Sequence, residues 1–196
     1  MEHFYQHLGE NWFNYEELYR DMVGKHNSGS HFVEVGCWKG RSASYMAVEI
    51  INSGKDISFT CVDTFAGSIE HTDPESWCFC EPLSKDPDYL FNEFTRNIEP
   101  VKDYITVKRM TSLDAAQTFL DDSLDFVFID ASHEYADVVA DLIAWYSKVK
   151  SGGYIAGHDY HDGSVYNAVQ HVLGDQKIDQ IVNCYIIKKP WVKKIT

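Results

Sequence analysis

The fold is indicated first by residues 31–42, which read HFVEVGCWKGRS. An apolar run typical of a buried strand is followed here by a turn with two glycines, Gly36 and Gly40, and then by a helix beginning at Arg41. Glycines at such a turn permit a tight bend and close approach of a ligand to the backbone. The middle glycine of the dinucleotide-binding pattern G-x-G-x-x-G is missing. The strand acid Glu34 therefore favours a ligand with positive sulfonium and ammonium groups over a pyrophosphate.

The alternation of strand and helix continues through the rest of the chain. Strands are predicted over 31–37, 57–63, 104–109, 124–130, 154–158, 178–182 and 185–188, and helices over 14–26, 41–51, 87–98, 112–120, 134–149 and 164–173. Asn14 and Asp86 are predicted to cap the first and third helices. Gly152 and Gly153 are predicted to end the fifth helix. The pattern predicts a doubly wound, Rossmann-like α/β fold with a seven-stranded, mostly parallel sheet and an antiparallel C-terminal strand pair.

One domain is expected over residues 1–196, because a chain of this length builds one sizeable core. Within it, residues 1–29 are predicted to form an N-terminal helical cap that packs against the sheet or covers the site. Residues 66–86 are predicted to form a substrate-covering loop, since long irregular segments in compact domains are usually functional. Ligands of such sheets bind at the carboxyl ends of the strands.

Charge and composition exclude several partners. The formal net charge of -13 disfavours nucleic acid and anionic membrane surfaces. No apolar run approaches the roughly 20 residues that span a bilayer. The five cysteines are odd in number, and three lie in or beside apolar strands, which indicates a reducing cytoplasm. A small molecule is the expected partner, and the oligomeric state, including a homo-oligomer, stays open.

A second acid strengthens the prediction of a cofactor site. Asp63 ends the second predicted strand, 29 positions after Glu34. A carboxylate at that strand end can accept hydrogen bonds from both hydroxyls of a ribose. Core packing alone does not readily explain two acids on successive strands.

These residues resemble a known pattern. Glu34, Gly36, Gly40 and Ser42 match the E-x-G-x-x-x-G-x-S of class I S-adenosylmethionine-dependent methyltransferases, in the branch of the catechol and caffeoyl-coenzyme A O-methyltransferases. The resemblance spans roughly residues 30–190. It implies S-adenosylmethionine as cofactor, with Ser42 holding its carboxylate and Trp38 packing on its methionine portion.

The segment Val62-Asp63-Thr64-Phe65-x-Gly67 is similar to the bacterial sugar methyltransferases related to macrocin O-methyltransferase. That similarity implies methylation of a sugar or natural-product hydroxyl. It also implies that the adenine is held after the third strand, where Ser112 is the expected contact. An alternative role for Ser112 is the N-cap of the following helix.

The fourth and fifth strands carry the candidate reaction residues. Asp130 and His133 follow one strand, and His158 and Asp159 follow the next. Asp130 is expected to serve cofactor and catalysis, and Asp130, His158 and Asp159 together are candidate ligands of a divalent metal. The resembling enzymes have D-A-D-K where this chain has Asp130-Ala131-Ser132-His133, so His133 takes the place of their lysine base. An imidazole ligand makes manganese, iron or zinc more plausible than magnesium.

Other functions stay open at this point. The segment also looks similar to cephalosporin hydroxylase, so a metal-dependent hydroxylase or hydrolase is the runner-up. Nicotinamide oxidoreduction is weakened by the missing glycine, and a catalytically drifted cofactor-binding protein is the non-enzymatic alternative. His71, Cys78 and Cys80 do not form a closed four-ligand zinc pattern.

Overall fold

A seven-stranded sheet forms the centre of the computed structural model, which describes residues 1–190. The strands are β1 (His31–Val35), β2 (Ser58–Asp63), β3 (Thr106–Arg109), β4 (Leu124–Ile129), β5 (Val149–Gly157), β6 (Ile178–Ile181) and β7 (Cys184–Lys188). Their order is β3-β2-β1-β4-β5-β7-β6, with β1 to β5 parallel and β7 antiparallel to both β5 and β6. The predicted fold class is therefore confirmed.

Helices cover both faces of the sheet. They are α1 (Glu16–Lys25), α2 (Arg41–Ser53), α3 (Ile69–Thr72), α4 (Glu81–Lys85), α5 (Tyr89–Ile98), α6 (Ser112–Gln117), α7 (Tyr135–Lys148) and α8 (Gly163–Leu173). Successive strand residues point to opposite faces, so Phe32 and Phe126 pack in the core under α1, α2 and α5, whereas Val33 and Val127 pack in the core under α6, α7 and α8. No helix within residues 1–190 is long and apolar enough to cross a membrane.

The strand order positions the site. From β1 the chain winds outward to β2 and β3, and then returns to the other side of β1 as β4. The connections after β1 and β4 consequently diverge and leave a crevice at the carboxyl ends of these two strands. All the predicted site residues except Glu34 lie at or just beyond the ends of strands on this side of the sheet.

The prediction that Gly152 and Gly153 end the fifth helix is wrong. Helix α7 ends at Lys148, and both glycines lie inside β5. The register between β4 and β5 shifts here, and Gly152 has a φ of 83° that suits glycine. Both glycines pair with Lys189 through their backbone. The N–H of Gly152 donates to the carbonyl of Lys189, and the N–H of Lys189 donates to the carbonyl of Gly153.

Two predicted helix starts are also wrong. Helix α1 begins at Glu16 and no side chain caps it, because Asn14 is turned towards His158 instead. Helix α5 begins at Tyr89, and Asp86 accepts a hydrogen bond from the backbone N of Asp88 in the preceding turn. The predicted loop 66–86 contains the two short helices α3 and α4.

Candidate active site

A cleft of about 1230 Å³ opens at the carboxyl ends of the parallel strands. This exceeds the roughly 300–1,000 Å³ typical of a pocket for one small ligand. The predicted site residues that line it are Gly36, Trp38, Ser42, Asp63, Ser112, Asp130, His133, His158 and Asp159. The structure therefore brings nine of the eleven together, and Glu34 and Gly40 lie outside the lining.

Asp63 fixes the loop that follows β1. One carboxylate oxygen accepts hydrogen bonds from the backbone N of Cys37 at 2.7 Å and of Trp38 at 3.0 Å. The other oxygen accepts from the backbone N of Phe65 at 2.7 Å. Burial raises the pKa of Asp63, and these three donors oppose that rise. Because a carboxylate has about four acceptor positions, Asp63 can hold two loops and still accept a ligand hydroxyl.

Glu34 lies beneath the cleft floor. It is buried, and the hydroxyl of Ser42 donates a hydrogen bond to Oε1. Its Oε2 has no hydrogen-bond partner among the described residues. Burial raises the pKa of Glu34 to about 8. The carboxyl group is therefore protonated at neutral pH and reaches the cleft through Ser42.

The two glycines of the loop are required for different structural reasons. Gly36 has a φ of 85°, and a Cβ there would lie 1.9 Å from the carbonyl oxygen of Asp130. Gly40 has a φ of 82°, and its Cβ would meet Ile98 of α5 at 2.9 Å. Gly36 thus brings the loop after β1 against the end of β4, whereas Gly40 packs α2 against α5 without touching the cleft.

Ser112 has a different local role from the N-cap considered above. The cap of α6 is Thr111, whose hydroxyl oxygen accepts from the backbone N of Asp114. The Ser112 hydroxyl donates to Asp141 at 2.5 Å and accepts from the indole N of Trp145 at 2.8 Å. The N-cap alternative for Ser112 is therefore wrong, and its only proton is engaged inside the protein.

Acids and histidines meet at the other end of the cleft. His158 Nδ1 lies 3.0 Å from Asp159 Oδ2 and 3.9 Å from Asp130 Oδ1. His158 Nε2 lies 3.0 Å from the side-chain oxygen of Asn14, and the Tyr15 hydroxyl donates to Asp130 Oδ2 at 3.0 Å. Ligand atoms of Asp130, His133 and Asp159 lie within 4.8 Å of one another. The three predicted metal residues and the predicted base thus form one cluster.

His133 is held between two acids at the mouth of this cluster. Its Nε2 lies 2.9 Å from Asp159 and its Nδ1 lies 3.2 Å from Glu70. The hydrogen bond to Asp159 raises the pKa of His133 to about 9, although burial opposes the rise. Burial would raise the pKa of Asp159, but hydrogen bonds from His133 and His158 lower it below its ordinary value. Without a ligand, His133 carries a proton at neutral pH.

Asp130 is the most enclosed acid of the cluster. Burial raises its pKa, and the nearby His158 opposes that rise. The neighbouring Asp159 raises it further, because two negative charges in a poorly solvated site repel each other. A positive charge between the two acids relieves this repulsion, and in the structure His158 Nδ1 lies 3.0 Å from Asp159 and 3.9 Å from Asp130.

Aromatic rings cover the cleft beside this cluster. Trp38 packs against His71 with ring centroids 4.2 Å apart, and Trp12 lies 5.6 Å from Trp38 and 6.0 Å from Trp77. Trp77 is 83% exposed. His71 Nδ1 is bonded to Ser68, where it completes the capping box of α3. Residues of segment 66–86 therefore line the cleft between Gly67 and Cys78, and a role of the whole segment as a substrate cover stays a prediction.

Three residues that contact the cluster are not predicted from the sequence. The sequence predicts a capping role for Asn14 and no role for Tyr15 or Glu70. The signal available in the sequence was the density of aromatic residues between Phe4 and Tyr19. That density exceeds what one short amphipathic helix needs, and it indicates a segment packed over a site.

The comparisons with known proteins agree with this geometry. A sequence profile described as a methyltransferase domain matches residues 33–160. The chain belongs to this methyltransferase family. It is a class I S-adenosylmethionine-dependent methyltransferase, and the matched residues run from the middle of β1 to just beyond β5. The match includes every predicted site residue, whereas Asn14 and Tyr15 lie outside it.

Individual relatives are distant. The methyltransferase is 26% identical over 165 residues to the uncharacterized protein R132 of Acanthamoeba polyphaga mimivirus, a match that covers 79% of this chain and 67% of that one. The O-methyltransferase NovP has a similar structure, with a TM-score of 0.69, 19% identity and coverage of 90% of this chain and 79% of NovP. Cofactor-bound Rv0187 from MTB gives a TM-score of 0.63, 15% identity and coverage of 93% and 83%. These structural similarities show the fold.

Proposed function

We propose that this methyltransferase transfers the S-adenosylmethionine methyl group to a hydroxyl of a small molecule, a sugar or natural product, at a divalent-cation site. The observation that carries the proposal is the group of Asp130, His133 and Asp159 in the cofactor cleft, with His158 in contact with both acids. The O-methyltransferase activity named for NovP and the resemblance of Glu34 to Ser42 to metal-dependent O-methyltransferases support the choice of a hydroxyl.

The donor set fits a divalent cation. Asp130 and Asp159 supply oxygens and His158 supplies a nitrogen, a mixture that suits manganese, iron or zinc better than magnesium. Asn14 accepts from the Nε2–H of His158, which leaves Nδ1 to face the two acids. Histidine ligands commonly have this arrangement, in which the distal N–H is held by a fixed acceptor. When bound, the cation would lower the pKa of an acceptor hydroxyl and orient it.

His133 is assigned as the base that takes the hydroxyl proton. Its side chain is 37% exposed, whereas that of His158 is 8% exposed, so His133 is the histidine that an incoming acceptor meets first. In the structure its proton is stabilised by Asp159 and Glu70. If Asp159 held a cation, its contact with His133 would weaken, and the His133 imidazole would be free to accept the proton of the hydroxyl.

The remaining residues position the reactants. Asp63 and Ser42 face the cleft on the cofactor side, and the aromatic cover of Trp12, Trp38, His71 and Trp77 borders the side where His133 lies. Because the methyl group is already activated on the cofactor, catalysis requires alignment of the hydroxyl with the sulfonium and exclusion of water. The covering segment 66–86 serves that exclusion.

Labelled S-adenosylmethionine and a panel of sugar and polyketide hydroxyls, with matched amine and carbon acceptors, test the proposal. Transfer should stop in chelator and return with added manganese. Asp130→Asn and Asp159→Asn should abolish the response to manganese, whereas Asp179→Asn, an exposed acid on β6, should retain it. Full activity in chelator would overturn the cation site, and transfer only to nitrogen or carbon acceptors would overturn O-methylation.

The roles of the two histidines are distinguished by measuring manganese affinity in a variant of each. His158→Ala should weaken manganese binding measured by calorimetry. His133→Ala should leave manganese affinity nearly unchanged while lowering turnover by roughly 10² or more, as expected for a general base. Equal loss of manganese affinity in both variants would show that His133 is a ligand and that the proton is taken by another group.

A further inference from the structure

The cleft has a buried acid that the proposed reaction does not use. Asp141 lines the end of the cleft formed by α6 and α7, and only 6% of its surface is exposed. Burial raises its pKa to about 6, so the carboxyl group is ionised at neutral pH. No basic side chain forms an ion pair with it in the part of the chain that the structure describes. A buried negative charge of this kind requires hydrogen-bond donors.

One donor is provided by a fixed network. The Ser112 hydroxyl donates to Asp141 Oδ1 at 2.5 Å, and the Trp145 indole N–H donates to the Ser112 oxygen at 2.8 Å. Asp141 and Trp145 lie one helical turn apart on α7, and Ser112 opens α6 opposite them. Trp145 therefore orients Ser112, and Ser112 orients Asp141. The second carboxylate oxygen, Oδ2, has no protein donor within residues 1–190.

The position of Asp141 in the cleft indicates which part of the cofactor it would contact. This inference rests on the proposed function: with His133 as base and the sulfonium beside it, the nucleoside of the cofactor would extend towards the opposite end of the cleft. That end is lined by Met110, Leu113 and Ala140, whose apolar surfaces suit the faces of a purine. The 6-amino group of adenine is a donor without an acceptor function, and a carboxylate is an acceptor without a donor function.

We propose that Asp141 recognises the 6-amino group of the cofactor's adenine and that Ser112 is a positioning residue that holds Asp141 for this contact. Direct contact of adenine with Ser112, expected from the sequence, becomes secondary, because the Ser112 proton is already engaged. A 6-oxo purine would place its oxygen against the carboxylate. The enzyme therefore selects an adenine nucleoside over a hypoxanthine one.

The test compares two ligands of the intact protein, S-adenosylhomocysteine and S-inosylhomocysteine, by calorimetry at pH 7.5. They differ at the purine 6-position, where an amino group is replaced by an oxo group, and in the accompanying proton on N1. Wild-type protein should bind the adenosine compound about 10- to 100-fold more tightly, as expected for a hydrogen bond to a charged group. Equal affinity of the wild-type protein for both ligands would overturn the proposal without any variant.

Substitutions then identify the residue responsible. Asp141→Asn should reduce the preference for the adenosine compound to within about threefold or reverse it, because Ser112 keeps donating to Oδ1 and turns the new amide N–H towards the base. Ser112→Ala should also reduce the preference, a change that loss of stability alone does not produce. Asp179→Asn removes an exposed acid on β6, which does not line the cleft, and should leave the preference unchanged. An unchanged preference in folded Asp141→Asn would overturn the assignment.

Discussion

Replacing Glu34 with Gln should remove a fall in stability that the wild-type protein shows as pH rises from 4.5 to about 8. The carboxyl group is buried against Ser42, and burial raises its pKa from an ordinary value of 4.5 to about 8. Between these two values the folded protein holds a proton that the unfolded chain releases. The free energy of unfolding therefore falls as pH rises through this window. Glutamine has nearly the shape of a protonated glutamate and does not titrate, so the variant lacks this fall.

The magnitude follows from the pKa difference of about 3.5, at about 1.36 kcal/mol for each pKa unit. Relative to wild type, Glu34→Gln should gain up to about 5 kcal/mol between pH 4.5 and pH 8, with little difference at the acid end. Urea unfolding followed by circular dichroism from pH 5 to pH 9 measures this relative gain. Other titrating groups are common to both proteins and cancel in the difference.

The control is Glu75→Gln, which removes an exposed glutamate in the covering segment. Its unfolding free energy should run parallel to that of wild type over the whole range. If Glu34→Gln also runs parallel, or loses the same stability at every pH, Glu34 is ionised in the folded protein. The account of a protonated acid beneath the cleft floor would then be wrong.

Three further outcomes are expected. Gly36→Ala should prevent accumulation of folded protein in expression and melting assays, because the new Cβ would lie 1.9 Å from the backbone oxygen of Asp130; a normal melt would show that the two loops separate easily. Asp63→Ala should weaken S-adenosylhomocysteine binding by about 1.5–3 kcal/mol in calorimetry, and unchanged affinity would remove the ribose assignment. Tyr15→Phe removes the hydrogen bond to Asp130 and should lower turnover about 10-fold with cofactor affinity retained; equal losses of both would place Tyr15 in the cofactor site.

The strand-end residues were predictable because a parallel sheet leaves little freedom. Once β1, β2, β4 and β5 were located, Asp63, Asp130 and Asp159 had to emerge at one edge of the sheet. All three residues line the same cleft in the structure. The pattern of strands and helices sets these positions, and single contacts do not alter them.

Contacts between segments that are far apart in the chain could not be predicted from the sequence. Asn14 is 144 positions from His158, and Tyr15 is 115 positions from Asp130. Neither separation follows from periodicity, because the N-terminal segment could cross the sheet in several ways. Local preference therefore predicts a helix cap at Asn14, whereas in the folded protein the Asn14 side chain hydrogen-bonds the imidazole of His158.

The predicted end of the fifth helix was wrong for a related reason. Gly152 and Gly153 are common residues after a helix, yet here pairing with Lys189 continues the chain as β5. Local preference and sheet pairing compete at such positions, and the sheet bonds decide. Ser112 shows the same competition, because its hydroxyl bonds Asp141 while Thr111 takes the capping role.

The N-terminal segment has a practical consequence for engineering. Glu10 bonds Trp38 and Lys39, and Asn14 and Tyr15 bond the acid–histidine cluster, although all three lie ahead of the family-matched residues. A domain boundary drawn at the start of the family match would remove these contacts to the cleft together with the first two residues of β1, although the other six strands would remain. Exchange of residues 1–15 together with 66–86 between relatives is a route to new acceptors, because the Gly36 and Asp63 framework stays untouched.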